Sequence, residues 1–410
     1  MQILLISDYD RLAVEINEGF KNLGHQSTLL STRNEFLAVN ISNIKKNKLI
    51  WFKDAIRAFL YRKVFLWVGK SSYYQDISER DEYYSIDRIK SKVDYVPNVI
   101  IILFDYRIIT SRTVQALAKW SNAKIYWMMV DMKPMTGGCA YSGQCTKYQS
   151  DCKGCPLIKN SLFSDFAYKQ LSTKIELLKD VNLNLIAGSS YQEKQARLST
   201  VFKNRPIHKA IFPVNNKTFF PRDKFEARSK LGLPVDKQII MFGAMRVNDP
   251  RKGYQYLLKA ISLLVQKRNI DDLLLLVVGS GSVAELEEMQ IPVVSLGLVN
   301  YEKLALSYQS ADIFVCPTIE DSGPVMVSQS LLSGTPVVAF KMGVSIDLVI
   351  NGKTGFIFEL GDHEGLCSGI ENILDLSPKS KEMMNSACVE HSIEVTHDSF
   401  FKRINKLITH

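Results

Sequence analysis

The stretch from Ala311 to Phe340 constrains the fold of this chain more than any other. Ala311 to Pro317 is a short β-branched and aromatic run that reads as a buried strand. Ser322 or Gly323 then stands ahead of Pro324, the order expected of an N-cap followed by proline at the first helical position. Ser333-Gly334 ends that helix, and Pro336 to Phe340 is a second apolar run directly after it. Strand, helix, strand is a βαβ unit and implies a parallel sheet, hence an α/β fold. The helix N-terminus faces the carboxyl end of the preceding strand, where open α/β sheets bind anionic ligands. Asp321 before the helix and Gln329 two turns into it could touch opposite ends of one ligand, since eight helical steps span roughly 12 Å. On spacing alone, a plain βαβ unit with the carboxylate as an ordinary cap is an equal reading.

The 410 residues are 46% hydrophobic and 23% charged, enough to bury large cores in two or three domains. No apolar run approaches the 18 or so residues of a membrane span. Met1-Gln-Ile-Leu-Leu-Ile-Ser-Asp8 reads as a strand followed by acidic residues rather than a targeting segment, so the expected location is the cytoplasm. The first half alternates strand and helix: Ile3 to Ser7, Leu12 to Leu23, Gln26 to Leu30, then strands Val99 to Phe104 and Lys124 to Val130 around the helical Thr113 to Trp120. The turn after the first strand, Asp8-Tyr-Asp-Arg-Leu-Ala13, has no glycine and is a poor phosphate cradle. The second half alternates likewise, with strands at Gln238 to Phe242, Leu273 to Val278 and Val293 to Ser295 and helices at Tyr254 to Gln266 and Tyr301 to Gln309. Phe202 to Lys237 reads as the linker.

Charge concentrates in residues 44–70, where eight Lys or Arg face the single Asp54, giving +7 of the chain's +9. Leu49, Phe52, Ile56, Phe59 and Leu60 recur there at helical spacing, with Trp51, Tyr61 and Trp67 nearby. A basic amphipathic helix with aromatics suits an anionic membrane surface, and a domain helix with a solvated basic face is an equal reading. No nucleic-acid module is recognisable, so no nucleic-acid partner is expected.

Cysteines cluster once. Cys139, Cys145, Cys152 and Cys155 fall within 17 residues with x5, x6 and x2 spacings, while Cys316, Cys367 and Cys388 stand singly in apolar surroundings. In a reducing compartment four clustered thiols favour a structural zinc over disulfides; an iron–sulfur cluster, a redox pair and a metal-free loop are the other readings.

The segment 317–340 resembles the acidic-x7-acidic signature of the retaining family-4 type glycosyltransferases, with the register set by Gly334-Thr-Pro-Val-Val338. The resemblance covers most of the chain and is densest from Gln238 to Phe358. It implies the GT-B architecture: two Rossmann-like domains facing a cleft, here residues 1–205 for the acceptor and 206–394 for the donor, with a last helix in 395–410 crossing back. It implies transfer of a sugar from a nucleotide diphosphate donor to a hydroxyl with retention of configuration and no cofactor required for catalysis. It assigns Asp321 to the donor sugar and position 329 to the ribose, where Gln329 departs from the usual carboxylate; Glu320, paired with Ser328, would serve in a register slipped by one.

The same resemblance places cations for the diphosphate in Gly243-Ala-Met-Arg-Val-Asn-Asp-Pro-Arg-Lys-Gly253. Lys252-Gly253 matches; the usual arginine after Gly243 is displaced, leaving Arg246 or Arg251. Gly279-Ser-Gly281 resembles the nucleotide loop, Leu296-Gly297-Leu298 the base-contacting turn, and Ser322-Gly323 the helix start behind the phosphates. Thr136-Gly-Gly-Cys139 with the later cysteines resembles a loop found in a subgroup acting in surface polysaccharide synthesis on saccharide or lipid-linked acceptors. Where that subgroup often has His-Asp ahead of the loop, this chain has Val130-Asp131, so Asp131 is the polar candidate there. A catalytically inactive nucleotide-sugar-binding partner is the alternative reading of the same residues.

Overall fold

A computed structural model describes residues 1–8, 11–31, 39–40, 52, 56, 78–104, 108–158 and 164–409. The basic stretch 44–70, with the membrane-surface reading attached to it, lies outside the described residues apart from Phe52 and Ile56. The chain forms two compact units, Met1–Gly188 with Gln192–Lys209 and Ile404–His410, and Ser189–Tyr191 with Ala210–Arg403.

Among its described residues the first unit holds seven parallel strands: β1 (Gln2–Ile6), β2 (Gln26–Ser31), β3 (Val39–Asn40), β4 (Val99–Ile102), β5 (Lys124–Met129), β6 (Leu183–Ala187) and β7 (Ile207–Lys209). Their order across the sheet is β3-β2-β1-β4-β5-β6-β7. The strand β4 and, after Gln2, β1 are apolar without alternation, β6 is interrupted only by the buried Asn184, and all three are almost wholly buried, as central parallel strands covered on both faces must be. Helix Ser111–Ser121 is capped by Thr110, whose hydroxyl accepts the Thr113 N–H, and it ends on Asn122 in the left-handed region. The last helix, His397–Thr409, sends its final turns to this unit, where Tyr126 donates to the Leu407 carbonyl at 3.2 Å and the His25 ring meets Asn405 at 2.7 Å.

A buried ionic knot ties the cysteine loop to this unit. The Lys174 ammonium, fully buried, stands 3.3 Å from the Glu79 carboxylate and donates to the carbonyls of Lys133 and Thr136. Glu79 also accepts the N–H and hydroxyl of Ser111 at 2.8 and 2.6 Å. Burial works to raise the Glu79 pKa, but the Lys174 and Lys133 charges and the Ser111 bonds outweigh it and hold the carboxyl below its ordinary value.

The second unit holds six parallel strands: β8 (Gln238–Arg246), β9 (Leu273–Ser280), β10 (Val293–Ser295), β11 (Ile313–Cys316), β12 (Val337–Phe340) and β13 (Gly355–Phe358), ordered β10-β9-β8-β11-β12-β13. The βαβ unit expected from the sequence is β11, helix Val325–Leu332 and β12. Its helix starts one residue later than expected: Pro324 is extended at ψ 95° and occupies the N-cap, so proline precedes the first turn instead of opening it. Gly334, at φ 81°, stops the helix, and the Thr335 hydroxyl donates to the Tyr308 carbonyl at 2.7 Å, which fixes the entry into β12.

Candidate functional site

Strand order in the second unit reverses at β8. From there β9 and β10 run to one side and β11, β12 and β13 to the other, so the crevice between the carboxyl ends of β8 and β11 is the topological switch point where such sheets bind ligands. Two sequence features close the loop after β8 onto the end of β11. Asp249 caps a short turn, Pro250–Lys252, by accepting the Arg251 N–H at 3.1 Å. Gly253 follows at φ 72°, and a Cβ there would lie 1.7 Å from the Pro317 carbonyl oxygen, so only glycine lets the two chain segments touch. The Arg251 carbonyl accepts the Ile319 N–H at 2.8 Å across the same junction.

The Lys252 ammonium consequently meets the Asp321 carboxylate in a hydrogen-bonded ion pair directly across the switch point. The other Asp321 oxygen accepts the Gly323 N–H at 3.2 Å, which turns the carboxylate toward the start of helix Val325–Leu332. Burial works to lower the Lys252 pKa, and the charge and hydrogen bond of Asp321 overcome it, leaving the ammonium above the ordinary lysine value. Beside the pair, the Ser322 hydroxyl is buried, and among the described residues it has no hydrogen-bond partner. Gly253→Ala is expected to lower stability by at least about 1–3 kcal/mol, the cost of a non-glycine residue held in a disfavoured backbone region. A melting temperature equal to that of the parent would show that the junction between Gly253 and Pro317 is looser than described.

The glycine loops converge on the same side of β8. A Cβ on Gly279 would lie 1.8 Å from the Ala244 carbonyl oxygen and one on Gly281 2.2 Å from the Asn248 side chain, so both glycines exist for close approach of the β9 end to the β8 end. The Gly279 N–H donates to the Gly297 carbonyl at 2.8 Å, which brings the Leu296-Gly297-Leu298 turn alongside and leaves Leu298 exposed. Gly243 lies beneath Met326 of the helix, whose terminal methyl a Cβ would meet at 2.4 Å.

The arginines divide. Arg251 is held by Asp249 at 2.7 Å, whereas Arg246 is exposed at the end of β8. Glu320 sits beside Asp321 in the turn, and its N–H lies 3.4 Å from the Arg251 carbonyl. Gln329 is buried, and its Oε1 accepts the hydroxyl of the fully buried Tyr308 at 3.2 Å. Tyr308 is the residue that sequence reasoning missed; its partnership with Gln329, from a different helix, leaves no local signal in the chain.

In the first unit Asp131 follows β5 and accepts the Lys133 N–H at 2.8 Å. The four clustered cysteines line one small cavity with Lys147 and Tyr148, and none is in a disulfide. Burial pushes the Cys139 thiol up to about 12 and that of Cys152 up to about 11.

Residues 236–375, from just before β8 to past β13, match the family model described as Glycosyl transferases group 1. The second half carries a group 1 glycosyltransferase domain. The match takes in Lys252, Asp321 and Gln329, and so the whole crevice of this glycosyltransferase domain. Among curated proteins, the chain is 31% identical over 194 residues to D-inositol 3-phosphate glycosyltransferase of Streptomyces avermitilis, covering 44% of this chain and 41% of that one. It is 28% identical over 187 residues to the enzyme of the same name from Corynebacterium diphtheriae, 43% of each. Sulfoquinovosyl transferase of Arabidopsis thaliana is 27% identical over 188 residues, 44% of this chain and 35% of that one. The matches thus span less than half the length of these relatives.

Solved structures share the fold over almost the whole chain. Sucrose-phosphate synthase from Thermosynechococcus elongatus superposes with a TM-score of 0.68 at 17% identity, covering 99% of this chain and 98% of that one. An Anabaena protein crystallised with UDP and glucose gives a TM-score of 0.61 at 13% identity, covering 100% and 99%. The architecture is therefore GT-B, two Rossmann-like α/β units with parallel sheets.

Proposed function

We propose that this chain transfers a sugar from a nucleotide diphosphate donor to an acceptor hydroxyl, with the ion pair of Lys252 and Asp321 as the heart of the donor site. The observation that carries this reading is the position of the pair, at the switch point of the sheet and inside the group 1 glycosyltransferase segment. As the bond from sugar to phosphate breaks, negative charge grows on the diphosphate. Lys252, Arg246 and the N–H groups at the start of helix Val325–Leu332 stabilise it, and Asp321 orients the sugar through its hydroxyls. Ser322, buried beside them, gains a partner when a phosphate or sugar oxygen arrives.

The reading extends to retention of configuration, to a saccharide or lipid-linked acceptor, and to surface polysaccharide assembly at the cytoplasmic face of a membrane, with Asp131 on the acceptor side. Retention follows the resemblance of 317–340 and the acceptor class that of the loop at Thr136-Gly-Gly-Cys139. Among the described residues no helix is long and apolar enough to cross a membrane, so a lipid-linked acceptor would be met at the surface. A UDP donor has the support of the Anabaena structure, whose crystals hold UDP.

The experiment is a thermal-shift panel of nucleoside diphosphates and their sugars. At least one base is expected to raise the melting temperature, by several degrees at ligand concentrations about 100-fold above Kd. A panel flat for every base contradicts the proposal. One observation favours a second reading, a nucleotide-sugar-binding partner without turnover: Gln329, placed where a ribose-binding carboxylate is usual, is buried and bonded to Tyr308.

A further inference from the structure

We infer that Cys139, Cys145, Cys152 and Cys155 hold one structural zinc ion in the first unit. This inference stands on the cysteine loop alone and is independent of the donor site. The chain between β5 and helix Phe166–Leu178 has only two short 3-10 turns, Lys133–Met135 and Lys147–Gln149, among its described residues. Core packing of Met132, Met135, Cys139, Tyr148 and Cys152 anchors the loop, while the turns beside them, at Gly143-Gln144, Thr146-Lys147 and Lys153-Gly154, are exposed and have little regular structure, the situation in which a metal is a usual support. All four cysteines nevertheless line one small cavity.

The backbone is shaped around those sulfurs. Cys152 is a non-glycine residue at φ 57°, a conformation that costs roughly 1–2 kcal/mol, and Gly154 follows at φ 60°. The Lys147 carbonyl accepts the Cys152 N–H at 3.0 Å, and the Lys147 ammonium donates to the Gly154 carbonyl at 2.5 Å, which folds Cys152-Lys-Gly-Cys155 into a tight knuckle. The Ile158 N–H turns back to the Cys155 carbonyl at 3.0 Å, which closes the chain directly after the second cysteine of the knuckle. On the opposite wall, a Cβ on Gly137 would lie 2.2 Å from the Ala167 carbonyl oxygen, so the glycine lets the Cys139 arm press onto the helix.

Four thiols about an apolar cavity are the donor set of a closed tetrahedral zinc site. Among the described residues no three His, Cys, Asp or Glu side chains are already drawn together at ligating distance. One Zn2+ displaces four thiol protons to give a four-thiolate complex of net charge −2. Lys147 at the cavity offsets part of that charge.

The test uses the full chain made without an affinity tag. Elemental analysis is expected to return about one zinc per chain, and a mercurial thiol reagent is expected to release it stoichiometrically to a chromophoric chelator. The Cys152→Ser/Cys155→Ser double variant is expected to lose the metal, while the Cys367→Ser variant, outside the loop, keeps it. Absence of zinc from the unaltered protein overturns the inference, as does iron with sulfide in its place or a double variant that keeps a full zinc equivalent. The unaltered protein decides even where a variant fails to fold.

Discussion

Lys252→Ala is expected to reduce kcat/KM by about 10²–10³, the usual loss when one preorganised group facing a developing negative charge is removed. The ammonium is the cation that the fold delivers to the switch point, and its partner Asp321 lies on the loop after the neighbouring strand. Affinity for the nucleoside diphosphate should fall with it, because the diphosphate loses a charge-assisted contact in the ground state as well. The pair also supports the fold, so the variant should melt lower. Since the Lys252 pKa is raised in the folded state, this contribution is full below the ordinary lysine value of about 10.4 and fades as pH rises through the raised value. A pair that served stability alone would give the melting change with kcat/KM and diphosphate affinity intact. That result would remove Lys252 from the donor site.

Asp321→Asn should separate the sugar from the phosphates. The amide keeps the size and one acceptor but loses the charge, so turnover is expected to fall about 100-fold or more where the contact to the sugar tightens in the transition state. Nucleoside diphosphate affinity should hold or rise. Without a sugar, the diphosphate must draw Lys252 away from the Asp321 carboxylate, and the variant removes that competitor. A nucleotide sugar can compensate Asp321 through its hydroxyls, so the difference in affinity between the sugar nucleotide and the bare diphosphate should narrow. Normal turnover in Asp321→Asn, together with its loss in Glu320→Gln, would shift the orienting role to Glu320 and the register by one residue.

The parallel units could be read from the chain because buried parallel strands are continuous apolar runs and because Gly334-Thr-Pro punctuates the helix so sharply. The strand Gly355–Phe358 was not legible: four residues opened by a glycine carry too little pattern to distinguish from a loop. In the site, Lys252 and Asp321 could each be named, but their ion pair joins positions 69 residues apart and exists because β8 and β11 are neighbours, which is topology rather than local sequence. The choice between the arginines was likewise hidden. Arg251 is taken by Asp249, two residues away, whereas Arg246 remains exposed beyond the irregular pairing of β8 with β9. Gln329 reads as a ligand residue in the sequence, and the structure shows a second demand on it from Tyr308, since the helix Val325–Leu332 is buried over most of its length.

The most direct measurement follows the anomeric proton by NMR while the full chain is incubated with the nucleotide sugar selected by the thermal-shift panel and a set of hydroxyl acceptors. The expected result is release of the nucleoside diphosphate with the sugar on an acceptor oxygen in the configuration it had in the donor, slowed about 100-fold or more in Asp321→Asn. Saturable donor binding with no release of nucleoside diphosphate, in the unaltered chain and across the acceptor set, would contradict transfer and leave a nucleotide-sugar-binding protein.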